Sequence, residues 1–241
     1  MKSINYIHSA VVLAASLSLS LSIAANAAPR DVQITNVDFD SGVVELRNLG
    51  TTTESLSGWR FCSHNTSFVR RYSGSAGLNG ISLAPDESLF IHYNNDASQS
   101  NEINISTIGG NFAPLERDAY GLQIYFSPVS FGNGNTIADH LQWSLNGVDN
   151  TTADDRSDEA EAGGVWVDQS QWISVLANTD RVRLTDLNGN VLHSPVNYAL
   201  GDPQPPVAPI FVPAAPFAYL ALLATGLVLT VQRVKRRNES K

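Results

Sequence analysis

Four histidines, His64, His92, His140 and His193, occupy the central part of this 241-residue chain and are its most versatile candidates for acid–base or metal chemistry. Asp139 directly precedes His140, and the pair reads as an acid–base fragment. No nucleophile stands at a recognisable spacing from it. H-E-x-x-H, G-x-S-x-G and Gly-rich phosphate loops are all absent from the sequence. Ordinary strand residues are therefore the default reading, with a hydrolase site on loops between Asn133 and Trp172 as an alternative. The scattered histidines lack the regular spacing of zinc ligands. The single cysteine, Cys62, excludes a disulfide framework and a Cys-based zinc site, and reads as a small buried side chain. Asp149, Asp154, Asp155 and Asp158, with Glu159 and Glu161, crowd hard oxygen ligands of the kind Ca²⁺ takes. Their spacing matches no known calcium loop. A solvated acidic face with no bound cofactor is the expectation, and Ca²⁺ is its alternative. Trp172, near Gln169 and Gln171, suggests a stacking platform for carbohydrate if exposed.

Charge narrows the partners. Residues 29–210 hold nine arginines and no lysine against 22 acids, a net −13. Such a surface repels nucleic acid, which is excluded as a partner. With 43% hydrophobic residues the chain is also far too apolar for a disordered acidic tail.

The residues above must be positioned by strands. Val44 and Leu46 alternate with Glu45 and Arg47, Leu89 and Ile91 with Phe90 and His92, Leu122 and Ile124 with Gln123 and Tyr125, and Val182 and Leu184 with Arg181 and Arg183. Period-two alternation predicts strands with one buried face. Val32 and Ile34 give way to Val37 and Phe39, so the buried parity flips near Thr35 and predicts a β-bulge. Turn residues are dense, and Asn188-Gly189 predicts a type I′ hairpin joining residues 182–186 to 191–196. Only residues 157–162 look helical, with Ser157 as cap, acids in the first turn and Gly163 as stop. Many short strands with Gly/Asn turns indicate an all-β sandwich or barrel.

The two ends read as addresses. Lys2 precedes an uncharged stretch that closes on Ala25-Asn26-Ala27, the pattern of a cleaved signal peptide covering residues 1–27. A β-domain over 28–200 follows, then a Pro-rich stalk over 201–216, an apolar membrane helix over 217–232 and a basic cytoplasmic tail over 233–241. The uncharged run 211–231 is long enough to cross about 30 Å of hydrocarbon. Arg233, Lys235, Arg236 and Arg237 then act as a stop-transfer cluster. Val212-Pro213-Ala214-Ala215-Pro216, the apolar run and this cluster resemble bacterial C-terminal sorting signals of the PEP-CTERM and VPLPA-CTERM type. That resemblance implies recognition by a sorting protease and display at the surface of a Gram-negative envelope.

A second resemblance covers most of residues 32–196. Val43-Val44-Glu45-Leu46-Arg47-Asn48-Leu49-Gly50, followed by Leu56-Ser57-Gly58-Trp59, resembles the opening of a lamin-tail domain. Leu83-Ala84-Pro85-Asp86-Glu87-Ser88-Leu89 is similar to that family's Leu-x-Pro-Gly-Glu-x-Leu turn, with Asp86 in place of Gly. Trp143, and Ala160, Ala162, Gly163 and Trp166, match its later motifs. The resemblance implies an immunoglobulin-like β-sandwich whose motif residues are structural. The functional expectation is an extracytoplasmic, membrane-anchored, non-catalytic module contacting an envelope or matrix protein or polysaccharide. A carbohydrate- or Ca²⁺-binding surface module is the first alternative.

Overall fold

β-Branched and aromatic residues alternating with polar ones extend this chain into strands, and its Gly, Asn and Asp turns fold them back. The computed structural model describes residues 30–65, 70–147 and 156–201. The leader, stalk, sorting motif, apolar stretch and stop-transfer cluster lie outside the described residues, as do Asp149, Asp154 and Asp155. Among the described residues no helix is long and apolar enough to cross a membrane.

The described chain is all-β apart from one short helix and three 3₁₀ turns. One six-stranded sheet runs in the order β13 (Tyr198–Leu200), β12 (Arg181–Leu184), β1 (Val32–Asp38), β2 (Val43–Asn48), β7 (Ser88–His92), β8 (Glu102–Asn104). A five-stranded sheet runs β11 (Ile173–Val175), β10 (Ile137–Leu145), β9 (Ala119–Tyr125), β4 (Arg60–Asn65), β5 (Arg71–Tyr72). A small ribbon pairs β3 (Glu54–Ser55) with β6 (Ser82–Leu83). Two pairings between described strands are parallel, β7–β8 and β10–β11, and the rest are antiparallel.

The two large sheets share one apolar core. Val32, Ile34, Val37, Val44, Leu46, Leu89 and Ile91 come from the first, and Phe61, Tyr120, Leu122, Ile124, Leu141 and Trp143 from the second. Trp143 is among its largest fully buried side chains. Tyr120 stacks on the indole with ring centroids 5.1 Å apart, and Phe39 meets it edge-on at 5.4 Å. Trp59 packs edge-on against Phe126 at 6.3 Å, after Gly58 takes a left-handed φ of 77°.

The bulge expected near Thr35 is present: Ile34 pairs with Leu46 but Asn36 with Glu45, leaving Thr35 as the extra residue. A second bulge was not visible in the sequence. In β10, Ile137 pairs with Tyr125 and Asp139 with Ile124, so Ala138 is extra.

Three local expectations are corrected. Asn188-Gly189 does not make a type I′ hairpin. Gly189 has positive φ but Asn188 does not, because the Asn188 backbone and side-chain amides both donate to Asp186 Oδ1. β12 pairs with β1 and β13, and the stretch between β12 and β13 bridges to Trp166 through His193. The helix α1 (Ser157–Ala162) is where expected, but its N-cap is Arg156 in the left-handed region, with no side-chain cap bond. β9, expected to bury one face, has both faces covered, and so does β10: Gln123, Tyr125, His140 and Gln142 are all at 0% exposure. The cover includes α1, fastened by close backbone contact: a Cβ on Gly134 would fall 2.0 Å from the Glu159 carbonyl oxygen.

Asn48 closes β2 and ties three segments together. Its Nδ2 donates to the Thr52 and Leu83 carbonyls at 2.7 and 2.8 Å, and its Oδ1 accepts from Gly50 N–H at 2.9 Å. Asp86 takes a left-handed turn conformation with φ 64°. Replacing Asn48 with Ala leaves the buried Leu83 carbonyl without this donor. The expected loss is about 2–3 kcal/mol, read by urea denaturation. Glu45→Ala, on the outer face with one Ser88 contact, should cost under about 1 kcal/mol.

Candidate functional site

β10 brings the acid and the histidine of the Asp139-His140 fragment to opposite faces of its sheet, because successive strand residues point to opposite sides. The fragment is thereby divided into two buried polar chains.

On the inner face, Asp139 is at 0% exposure between the two sheets. Its Oδ2 accepts the N–H of Ile34, beside the β1 bulge, at 2.6 Å. Its Oδ1 lies 3.2 Å from His193 Nδ1, which donates to it, and the Tyr198 hydroxyl lies 3.2 Å from the same nitrogen. Burial disfavours the imidazolium of His193, but the Asp139 charge and hydrogen bond outweigh it and hold the pKa above the ordinary 6.5. Burial, assisted by the Asp139 charge, drives the Tyr198 hydroxyl well above the usual phenol range, so it stays neutral. Arg30, whose Nη2 reaches the Gly134 carbonyl, loses basicity to burial and regains part of it from Asp139. The result is an Asp–His–Tyr chain that contacts three elements and is closed to solvent.

On the other face, Gln142 Nε2 donates to the carbonyls of Gln169 and Gln171 at 3.0 and 2.8 Å. Its Oε1 therefore faces His140 Nε2, 2.8 Å away, and accepts from it. The remaining Nδ1 then accepts from Gln123 Nε2 at 3.1 Å. This network assigns the Nε2–H tautomer to His140. Trp166 meets the His140 ring edge-on at 5.4 Å and donates its Nε1–H to the Gln171 carbonyl. The chain from Gln123 to Gln171 fastens the segment 166–172 to the sheet.

The other sequence candidates are dispersed. Cys62 is a buried thiol outside any disulfide, on the same sheet face as Gln123, its register partner. His64 is fully buried one step along β4. His92 lies on the first sheet, half-buried, 2.6 Å from Asp96 and 3.7 Å from Glu102. Asp158 and Glu159 lie in the first turn of α1, where Glu159 pairs with Arg156. Hydrogen bonding from Glu159 lowers Asp158, while burial and the Asp158 carboxyl push Glu159 up to about 7. Of the four calcium candidates, only Asp158 is described. Among the described residues no group of three or more His, Cys, Asp or Glu is placed to hold a metal ion. Leu46, Asn48, Leu56, Trp59, Trp143 and Trp166 are buried, and Gly50 N–H donates to Asn48 Oδ1.

Trp172 does not form the stacking platform that its position near Gln169 and Gln171 suggested. It is 4% exposed, and Trp59, Trp143 and Trp166 are buried as well. No indole is presented to solvent among the described residues. The backbone carbonyls of Gln169 and Gln171, not their side chains, engage the core.

The partner of Asp139 is 54 residues away, and no local pattern announces it. Chemically, both chains can orient and join strands, but neither offers a reacting atom to solvent. Gln142→Glu aims carboxylate oxygens at two carbonyls that now receive N–H bonds. The expected loss is at least about 3 kcal/mol in chemical denaturation, with Gln142→Met costing less. No family model matches the sequence, and no curated protein matches it.

Proposed function

We propose that this chain is an exported, membrane-tethered, non-catalytic module. In this reading its β-domain is an immunoglobulin-like sandwich of the lamin-tail type, serving a structural or adhesive role against a protein or polysaccharide of a bacterial envelope or matrix. One observation carries the non-catalytic part. The Asp139, His193, His140, Gln123 and Gln142 side chains, which include the acid–base pair singled out from the sequence, are enclosed and committed to joining elements. Catalytic groups must reach a substrate, and these do not.

The fold assignment draws support from the motif positions. Asn48, Asp86, Trp59 and Trp143 each take a conformation or core position that suits the corresponding lamin-tail residue. The lysine-free, acidic composition of residues 29–210 suits neutral or cationic partners over nucleic acid. Export and tethering rest on the sequence of the two ends: Ala25-Asn26-Ala27, the uncharged run 211–231 and the cationic cluster after it.

Expressed in a Gram-negative host, the full chain should sediment with membranes. A chain ending at Phe211 should be recovered as soluble extracytoplasmic protein. Unchanged fractionation on truncation overturns the tether. Turnover in an ester, phosphoester and glycoside screen, abolished by His140→Ala, overturns the non-catalytic assignment.

A further inference from the structure

From Leu187 to Leu200 the chain lies over the domain with most of its side chains at least partly in solvent. Leu187, Leu192, Val196 and Leu200 are exposed, Val196 to 88%. Two side chains in this stretch are buried, His193 at 0% and Tyr198 at 9% exposure. Both belong to the Asp139 chain, Tyr198 through its contact with His193 Nδ1. Backbone bonds add a light seam. Val167 N–H donates to the His193 carbonyl at 2.8 Å, His193 N–H to Val165 at 3.1 Å, and Thr185 N–H to Asn197 at 2.8 Å. Three register pairs join β13 to β12. The segment's two buried side chains thus converge on one carboxylate, with Trp166 against the Tyr198 ring at 6.1 Å and the Thr185 hydroxyl on the Asn197 carbonyl at 2.7 Å.

We infer that the Asp139–His193 pair is a proton-operated latch, seating the segment from Leu187 to Leu200 on the two-sheet core and loosening it when the imidazolium gives up its proton.

The charged and titratable groups around the ring come from several elements. Asp139 faces it from β10 and Tyr198 from β13. Asp186 acts from the turn after β12, the weakest contribution, and the Asn190 carbonyl acts from the segment itself. The Asn190 carbonyl also accepts from Gln33 Nε2, a neutral group on β1. Arg30, ahead of β1, shares the Asp139 charge.

The direction of the switch follows from linkage. His193 has a raised pKa in the folded protein, so its contribution is complete below the unfolded value of 6.5 and is lost as pH rises through the folded value. Asp139 is not left bare by that loss. The His193 Nδ1–H bond, the Ile34 N–H and the Arg30 charge remain with it, so what the segment loses is the attraction of the imidazolium charge. The response is therefore local to the C-terminal segment, while β1 and β10 stay joined.

Hydrogen–deuterium exchange on the full chain in detergent, compared at about pH 6 and about pH 8.5 and corrected for intrinsic rates, tests the latch. Protection in peptides spanning 185–200 should fall tenfold or more at the higher pH, while β2 and β9 peptides keep theirs. His193→Gln should be loose at both values and flat with pH. An equal response in all peptides, no response in 185–200, or an unaltered pH dependence in His193→Gln overturns the proposal. If His193→Gln does not fold, NMR titration of the wild-type imidazole decides: a midpoint above 6.5 supports the latch, and one at or below it overturns it.

Discussion

A carboxylate without solvent exposure stands between the two sheets, and the elements around it are placed to answer its charge. An unpaired anion in that position would cost several kcal/mol, so Asp139 dictates what its neighbours must supply. β1 supplies the N–H of Ile34, given to Asp139 Oδ2 beside a one-residue bulge. The C-terminal segment supplies an imidazole, and the residues ahead of β1 supply the Arg30 charge. Asp139 itself faces inward after the bulge at Ala138 sets the parity of the rest of β10. The two bulges are thus geometrically matched: one aims the acceptor and the other adjoins the donor. Slipping either strand by a residue would separate the pair and turn apolar side chains to the wrong face.

The opposite face of β10 follows a different logic. His140 and Gln142 would suit a solvated surface, yet they are buried with Gln123 beneath the crossover from β10 to β11. An apolar cover would accept many placements of that crossover. A chain of directed bonds from Gln123 through His140 and Gln142 to the Gln169 and Gln171 carbonyls accepts far fewer. This places Trp166 against His140 and Trp172 inside, so the indole that looked available for ligand stacking becomes part of the cover. Polar chemistry in this domain specifies architecture.

Legibility in the sequence tracks how local each determinant is. The β1 bulge was readable because apolar residues on both sides of Thr35 record the parity change. The β10 bulge was not, since Ile137 and Ala138 are both apolar and alternation cannot register an extra residue between them and Asp139. The helix at residues 157–162 was legible from its acids and Gly163, although its cap was not, because Arg156 adopts left-handed geometry without a side-chain signal. Asn188-Gly189 misled because Asp186, two residues back, captured the asparagine. The candidate site itself was half legible: Asp139 and His140 stood out, but strand alternation divided them. Their actual partners, His193 for one and Gln123 and Gln142 for the other, depend on tertiary placement.

Surface character is unevenly distributed, and that bears on how such a module contacts its surroundings. The six large hydrophobic residues most exposed in the described chain, Val167, Leu176, Leu187, Leu192, Val196 and Leu200, all come from its last third. Isolated exposed apolar residues are unremarkable in any protein. Here four of the six belong to the segment held by His193 and Tyr198. Apolar contact surface and proton-sensitive attachment therefore coincide in one stretch, while the core strands carry neither. A change in the protonation of one imidazole would rearrange this apolar surface without unfolding the sheets beneath it. That separation follows from the Asp139 geometry, whose bond to β1 is independent of its bond to His193.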